Sequence, residues 1–208
     1  GYPDRENPVA RLDRNSDNRY TYWRMFGDAY LNINPFKDFN IKTTFGLDYA
    51  QKAQRIFQYP ITEGTVANAT NGVEAKQEHW TKWMWNAIAT YNYEFGRHHG
   101  DILVGTELNR EDDVWFSGKK YDYMILNPDY MWPNAGVGEA EAYGLGEGYT
   151  LVSYFGKINY TYDDRYLLGL TLRYDGSSRF GKNNRYGTFP SISAGWRINQ
   201  EKFMEGLG

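Results

Sequence analysis

At 208 residues the chain is long enough to bury one ordinary domain core or two, and a hydrophobic content of 41% separates no broad class from another. A formal net charge of −3 gives no reason to expect nucleic acid, and the absence of cysteine excludes a disulfide framework or a thiolate zinc site. Aromatic content is the outlier: 19 Tyr, 11 Phe and 7 Trp make 18% of a chain whose mean hydropathy is negative, which suits surfaces where rings meet both apolar groups and water.

The opening GYPDRENPVARLDRNSDNRY carries charges where a signal peptide would have its apolar segment. No uncharged run exceeds 11 residues (Trp83 to Tyr93, and Tyr186 to Trp196), whereas a membrane helix needs about 20. Spanning strands remain open, because they need only about 9–11 tilted residues.

Seven stretches then alternate with period two. From Tyr20 to Ile33, Trp23, Met25, Ala29, Leu31 and Ile33 oppose Tyr22, Arg24, Asp28 and Asn32. From Phe39 to Gln51, Phe39, Ile41, Phe45, Leu47 and Tyr49 oppose Asn40, Lys42, Gly46 and Asp48. From His79 to Phe95, Trp83, Trp85, Ala87, Ala89, Tyr91 and Tyr93 oppose Lys82, Asn86, Thr90 and Asn92. The fourth run sets Ile102, Val104 and Leu108 against Gly105, Glu107 and Asn109. The fifth, Thr150 to Tyr162, sets Val152, Tyr154, Ile158 and Tyr160 against Ser153, Lys157 and Asn159. The last two place Tyr166, Leu168, Leu170, Leu172 and Tyr174, then Pro190, Ile192, Ala194, Trp196 and Ile198, on single faces. Helical periodicity is weak throughout, its best stretch being Asn199 to Gly206.

Short connections are expected at Asn34 to Asp38, Gly96 to Gly100 and Asp163 to Arg165, and long ones at Lys52 to Gln77, Asp112 to Gly148 and Asp175 to Gly187. An all-β, antiparallel up-and-down meander of this kind suits a transmembrane β-barrel with short periplasmic turns, long extracellular loops and aromatic girdles. A soluble β-sandwich also alternates. Against it stand runs as long as His79 to Phe95, two very long loops, and an apolar parity rich in Tyr, Trp and Ala rather than Val, Ile and Leu. Seven strands at about 30 residues each, an odd count, fit part of a larger wall, about a third of a 22-stranded barrel.

The stretch RYLLGLTLRYDGSSRFGKNNRYGTFPSISAGWRINQEKF, Arg165 to Phe203, carries a family resemblance. It is similar to the barrel signature of SusC/RagA-type TonB-linked outer-membrane proteins of Bacteroidota. The matching residues are Arg173, Asp175, Gly176, Ser177, Ser178, Arg179, Phe180, Gly181, Asn183, Arg185, Tyr186, Gly187, Phe189, Pro190, Ser191, Gly195 and Trp196. Tyr154 to Tyr160 resembles the strand before it. The motif covers about the last 55 residues; earlier hairpins agree in style. A partial barrel domain over residues 1–208 is expected, with the plug, the TonB box and a closing strand outside it.

The motif also has a physical reading. Gly176, Gly181 and Gly187 would permit turns that a Cβ forbids, Asp175 and Ser177 would cap local backbone, and the arginines would pair with Asp175 or lumen carboxylates. Pro190 is expected at a strand start. A phosphate cradle lacks its GKS/GKT or strand–GxGxxG–helix context.

His98-His99 with Asp101 suits a polar turn better than a metal, since adjacent strand residues point oppositely and no third ligand follows. Asn109 to Asp113 offers oxygen ligands for calcium without a known loop spacing, and reads more simply as a solvated rim. No catalytic constellation has a convincing context, so no enzyme and no cofactor is expected. The long loop holds Trp115, Tyr121, Tyr130, Trp132 and Tyr143 beside Glu139, Glu141 and Glu147. Those rings suit sugar stacking, docking of a protein lid, or packing of the loop on itself.

The resemblance implies TonB-energised import of oligosaccharides or peptides across the outer membrane, with a SusD-like surface lipoprotein as lid. The alternative is a structural or secretion-associated barrel without nutrient transport.

Overall fold

The computed structural model describes residues 8–63 and 66–204. A short helix, α1 (Pro8–Asn15), precedes nine strands: β1 (Arg19–Phe36), β2 (Phe39–Gln58), β3 (Ile61–Glu63), β4 (Val66–Asn68), β5 (Gly72–Phe95), β6 (His98–Tyr121), β7 (Ala140–Tyr162), β8 (Tyr166–Ser177) and β9 (Tyr186–Trp196). Seven form one sheet in the order β1-β2-β5-β6-β7-β8-β9, while β3 and β4 pair only with each other. Long strands thus neighbour their sequence successors, as in a meander. A sandwich needs a second sheet about 10 Å away. Among the described residues the long strands form only this one, so the sandwich reading is set aside.

The short links turn because a few residues adopt left-handed backbone: Asp38 (φ 66°), Gly96 (61°), Asp163 (52°) and Asp164 (55°). Asp tolerates that region through local side-chain hydrogen bonding. Each link is also tied to a neighbouring strand or link. Asn92 N–H donates to the Asp38 carbonyl (2.8 Å), Asp163 N–H to that of Arg97 (2.8 Å) and Arg197 N–H to that of Arg165 (2.7 Å).

The chain divides into two compact units. The first comprises Gly1–Met25, Tyr49–Thr81 and Asp112–Glu147. It holds a small core in which Phe57, Val73, Tyr123 and Met131 are buried and Tyr59 packs alongside. The second comprises Phe26–Asp48, Lys82–Glu111 and Gly148–Gly208. Among its described residues no apolar side chain is buried, yet it carries most of the aliphatic alternation.

The β7–β8–β9 register shows how the second unit sorts its faces. Tyr154 pairs with Tyr174, Ile158 with Leu170, Tyr160 with Leu168 and Tyr162 with Tyr166. Across the next seam Leu172 meets Pro190, Leu170 meets Ile192, Leu168 meets Ala194 and Tyr166 meets Trp196. The other parity reads Ser153–Asp175, Phe155–Arg173, Lys157–Thr171 and Asn159–Gly169, then Thr171–Ser191 and Gly169–Ser193. One face is therefore aliphatic and bounded by rings, and the other is polar. Tyr166 and Trp196 stack at one end (6.5 Å) and Tyr174 and Tyr186 at the other (5.0 Å). Eight residues separate Tyr166 from Tyr174, about 26 Å of strand. A tilt of about 40° shortens that to roughly 20 Å, comparable to the ~25 Å apolar band of an outer-membrane barrel. Elsewhere in this unit Trp83 stacks on Phe45 (6.3 Å) and Trp85 donates to Thr43 (3.0 Å), while Lys82 pairs with Glu111 (3.7 Å).

Several expectations change. The strands run further than their apolar alternation: β2 reaches Gln58, β5 begins at Gly72, β6 reaches Tyr121 and β7 begins at Ala140. The long connections shrink to residues 59–71, which contain β3 and β4, and 122–139. The added turns of strand carry Lys76, Glu78, Asp112, Lys119 and Glu141, so neither face shows an apolar stripe. His98-His99 is not a turn; both residues open β6. α1 was not expected, and its apolar Val9 and Leu12 are exposed. The weakly helical stretch at Asn199 forms two single 3₁₀ turns, Ile198–Gln200 and Lys202–Met204, and the remainder of that stretch lies outside the described residues.

Candidate functional site

Two clusters gather the residues singled out by the sequence. The first is the signature hairpin joining β8 to β9. Arg173 Nε donates to both oxygens of Asp175 (2.7 and 2.8 Å), and its Nη2 donates to Ser153 Oγ of β7 (3.0 Å). Ser153 is buried and Phe155 lies 5.7 Å beneath the guanidinium, so one arginine bridges two strands. Ser178 ties the tip back to β7: its Oγ accepts from Thr150 N–H (2.8 Å) and its own N–H donates to the Thr150 carbonyl (3.0 Å). Ser177 Oγ accepts from Arg179 N–H (3.3 Å), the small hydroxyl turn expected of it.

Arg179 does not pair with a carboxylate. It lies over the Tyr149 ring (4.1 Å), whose hydroxyl donates to Glu111 (3.0 Å). Arg185 Nε donates to the Phe180 carbonyl (3.3 Å). Asn183 sits exposed at the tip, beside the turn closed by Asn184 N–H to the Gly181 carbonyl (2.9 Å).

None of Gly176, Gly181 and Gly187 has positive φ, so Gly176 and Gly187 act through space rather than backbone freedom. A Cβ on Gly176 would strike the Tyr186 ring, and one on Gly187 would press Phe189 at 3.0 Å, whereas Gly181 faces open space. Pro190 does not begin its strand but lies within β9 opposite Leu172.

The second cluster is the 122–139 loop with the strand ends beside it. Tyr121 and Tyr143 both donate to Glu141 (3.0 and 2.9 Å). That carboxylate, through the hydrogen bonds, raises both phenol pKa values. Lys76 caps the Trp115 ring (4.5 Å). Arg55 lies between Trp132 (4.1 Å) and Phe57 (5.0 Å) and donates to the Pro128 carbonyl (2.8 Å). Tyr123 and Asn71 exchange two hydrogen bonds, Tyr123 N–H to Asn71 Oδ1 (2.6 Å) and Asn71 Nδ2 to the Tyr123 carbonyl (3.3 Å). Self-packing thus occupies Trp115, Tyr121 and Tyr143, and one face of Trp132. Tyr130 is 64% exposed and, among the described residues, has no aromatic or cationic ring partner, which makes it the most available ring of the five. Arg55, Met131 and Asn71 were missed, because each acts across dozens of residues and no short motif marks them.

The histidines separate as strand alternation requires. His98 Nδ1 meets Tyr160 Oη (2.7 Å), and His99 Nε2 meets Asp164 (3.2 Å). Among the described residues no group of His, Asp and Glu is arranged to hold a metal. In the Asn109 to Asp113 stretch, Asn109 donates to Glu107 (2.7 Å), and Glu111 is held by Lys82 and Tyr149.

A continuous antiparallel sheet, aliphatic and ring-bounded on one face and polar on the other, has the architecture of β-barrel wall. The chain is 32% identical over 202 residues to the TonB-dependent receptor SusC of Bacteroides thetaiotaomicron, a match covering 96% of this chain and 19% of that protein. It is 31% identical over 209 residues to TonB-dependent receptor P39 of Formosa agariphila, covering 98% of this chain and 20% of that one. Its fold matches a solved structure of the RagAB peptide transporter with a TM-score of 0.80, at 18% identity, over 91% of this chain and 21% of the other. No family model matches. The chain belongs to the SusC/RagA-type TonB-dependent receptors, and spans about a fifth of the length of the curated relatives it matches. Those relatives are named as receptors and as a transporter.

Proposed function

We propose that this chain supplies about seven strands of the wall of a 22-stranded outer-membrane barrel that imports oligosaccharides or peptides. Energy comes from TonB through a plug and TonB box elsewhere in the receptor, and a SusD-like surface lipoprotein closes the extracellular mouth. The cell is Gram-negative, of the Bacteroidota. The observation that carries the reading is the second unit: a sheet with no buried apolar side chain among its described residues, whose apolar parity is bounded by ring rows. Such a face is stable against hydrocarbon, where closure into a barrel leaves no unpaired edge.

In that arrangement Ile158, Leu170 and Ile192 face lipid, while Ser153, Lys157, Asn159 and Thr171 face the lumen. The short turns lie in the periplasm and the long connections outside. Met124, Ile125, Tyr130 and Trp132 of the 122–139 loop are exposed, which supports a lid contact there. The signature residues Arg173, Asp175 and Ser178 keep the β8–β9 hairpin rigid against β7.

The test is uptake. Deleting the full-length receptor should abolish growth on a defined oligosaccharide or peptide mixture as sole nutrient, and complementation should fail when the TonB box is removed. Normal growth of the deletion strain on every such mixture would favour the structural or secretion-associated barrel instead.

A further inference from the structure

Between Arg173 and Gly187 the chain places four cations, Arg173, Arg179, Lys182 and Arg185, and a single carboxylate, Asp175, although its overall charge is −3. Asp175 is already held by Arg173 (2.7 and 2.8 Å). Glu111, which accepts from the hydroxyl of the Tyr149 that Arg179 covers (3.0 Å), is also held by Lys82 (3.7 Å). Among the described residues Arg179, Lys182 and Arg185 therefore form no ion pair. Arg179 is oriented by its stacking on Tyr149, which leaves its in-plane N–H donors open. Arg185 spends only Nε, on the Phe180 carbonyl (3.3 Å), leaving both terminal nitrogens.

Arg185 borders a depression on the polar face. It has a volume of about 390 Å³ and is lined by Ser153, Arg173, Asn184 and Arg185, by Asp175 whose carboxylate Arg173 already holds, and by the rings of Phe180 and Phe189. Gly187 keeps its floor low, because a Cβ there would press Phe189. The volume lies within the ~300–1,000 Å³ usual for small-ligand sites, and rings with a few convergent donors are the usual lining. A preoriented guanidinium with a free edge matches a carboxylate.

The geometry points to a carboxylate-binding subsite at the signature hairpin, in which Arg185 holds the acid group of a sugar acid or an acidic peptide, with Arg179 adding positive charge nearby in sequence. This rests on the import reading and gives the imported material a charge. Lys182 at the tip adds attraction at longer range, weakened by salt.

The experiment uses the full-length receptor purified in detergent, with its heat-modifiable gel mobility as the folding control. Binding is measured by saturation-transfer NMR for two carboxylate probes, tri-galacturonate and tri-glutamate, each against its methyl ester. At least one acid should bind in preference to its ester, and which one does identifies the source of the carboxylate. Arg185→Gln should weaken it by about tenfold, as expected for charge-assisted hydrogen bonds, while Arg185→Lys should retain part of the affinity. The proposal is overturned if neither acid binds, if acid and ester bind alike, or if the folded Arg185→Gln variant binds as wild type. A parallel uptake assay separates the two readings: a failed subsite with TonB-dependent growth intact leaves the import function standing.

Discussion

Met131 is fully buried in the first unit, whereas Ile192 is 74% exposed in the second, although both are large apolar residues of one chain. The first unit folds as water-facing protein does. It gathers Phe57, Val73, Tyr123 and Met131 into a core and spends polar side chains such as Asn71 and Arg55 on fixing a loop. The second relies on backbone pairing and sorts its side chains by face, leaving the apolar ones outward. A sheet can do without a core only where its apolar face meets something as apolar as itself. The two units thus imply two solvents.

Substitutions should reveal the difference. In the first unit Met131→Ala removes a fully enclosed side chain and should cost about 2–5 kcal/mol. In the intact receptor this would appear as faster protease cleavage within residues 122–139, with the barrel core unaffected. In the second unit Leu170→Arg should cost about 2–4 kcal/mol in a bilayer and Thr171→Arg far less, since only the first lies on the aliphatic parity proposed to face lipid. Urea unfolding from vesicles measures both, and equal costs would break the comparison.

The second unit was the more legible in sequence, because an aliphatic face backed by a polar one writes period-two alternation into Leu168, Leu170 and Leu172 against Gly169, Thr171 and Arg173. The first unit was read as loop where it is strand. Lys76, Glu78, Lys119 and Glu141 lie in strands with polar groups on both faces, so alternation carried no signal. Among candidate site residues, the Arg173–Asp175 pair follows from spacing, since i and i+2 on a strand share a face. The stacking of Arg179 on Tyr149 does not, because a hairpin must first return across β7. Arg55 was hidden for the same reason: Trp132 and Pro128 are far along the chain.

Arg55 gives a smaller test. Arg55→Lys keeps the charge but loses planar stacking on Trp132 and Phe57, and should loosen the loop by about 1 kcal/mol, less than Met131→Ala by the same cleavage assay. A pH effect should be smaller still. Glu201, beyond β9, accepts from Tyr166 (2.7 Å) and Trp196 (3.0 Å), and these bonds with nearby Arg165 hold its pKa below the usual value. Its contribution is therefore present above the normal glutamate range and is lost as pH falls through the lower folded value. Melting of the detergent-purified receptor between about pH 7 and 3 should show that loss, and Glu201→Gln should remove it.

The central claim is that adjacent residues of β8 face different solvents. Spin labels at Leu170 and Thr171 of the full-length receptor in lipid vesicles test it directly, by their relaxation with oxygen, which concentrates in hydrocarbon, and with a water-soluble nickel chelate. Leu170 should be accessible to oxygen and shielded from nickel, and Thr171 should show the reverse. Equal accessibility at the two sites, or an inverted pattern, would contradict the account.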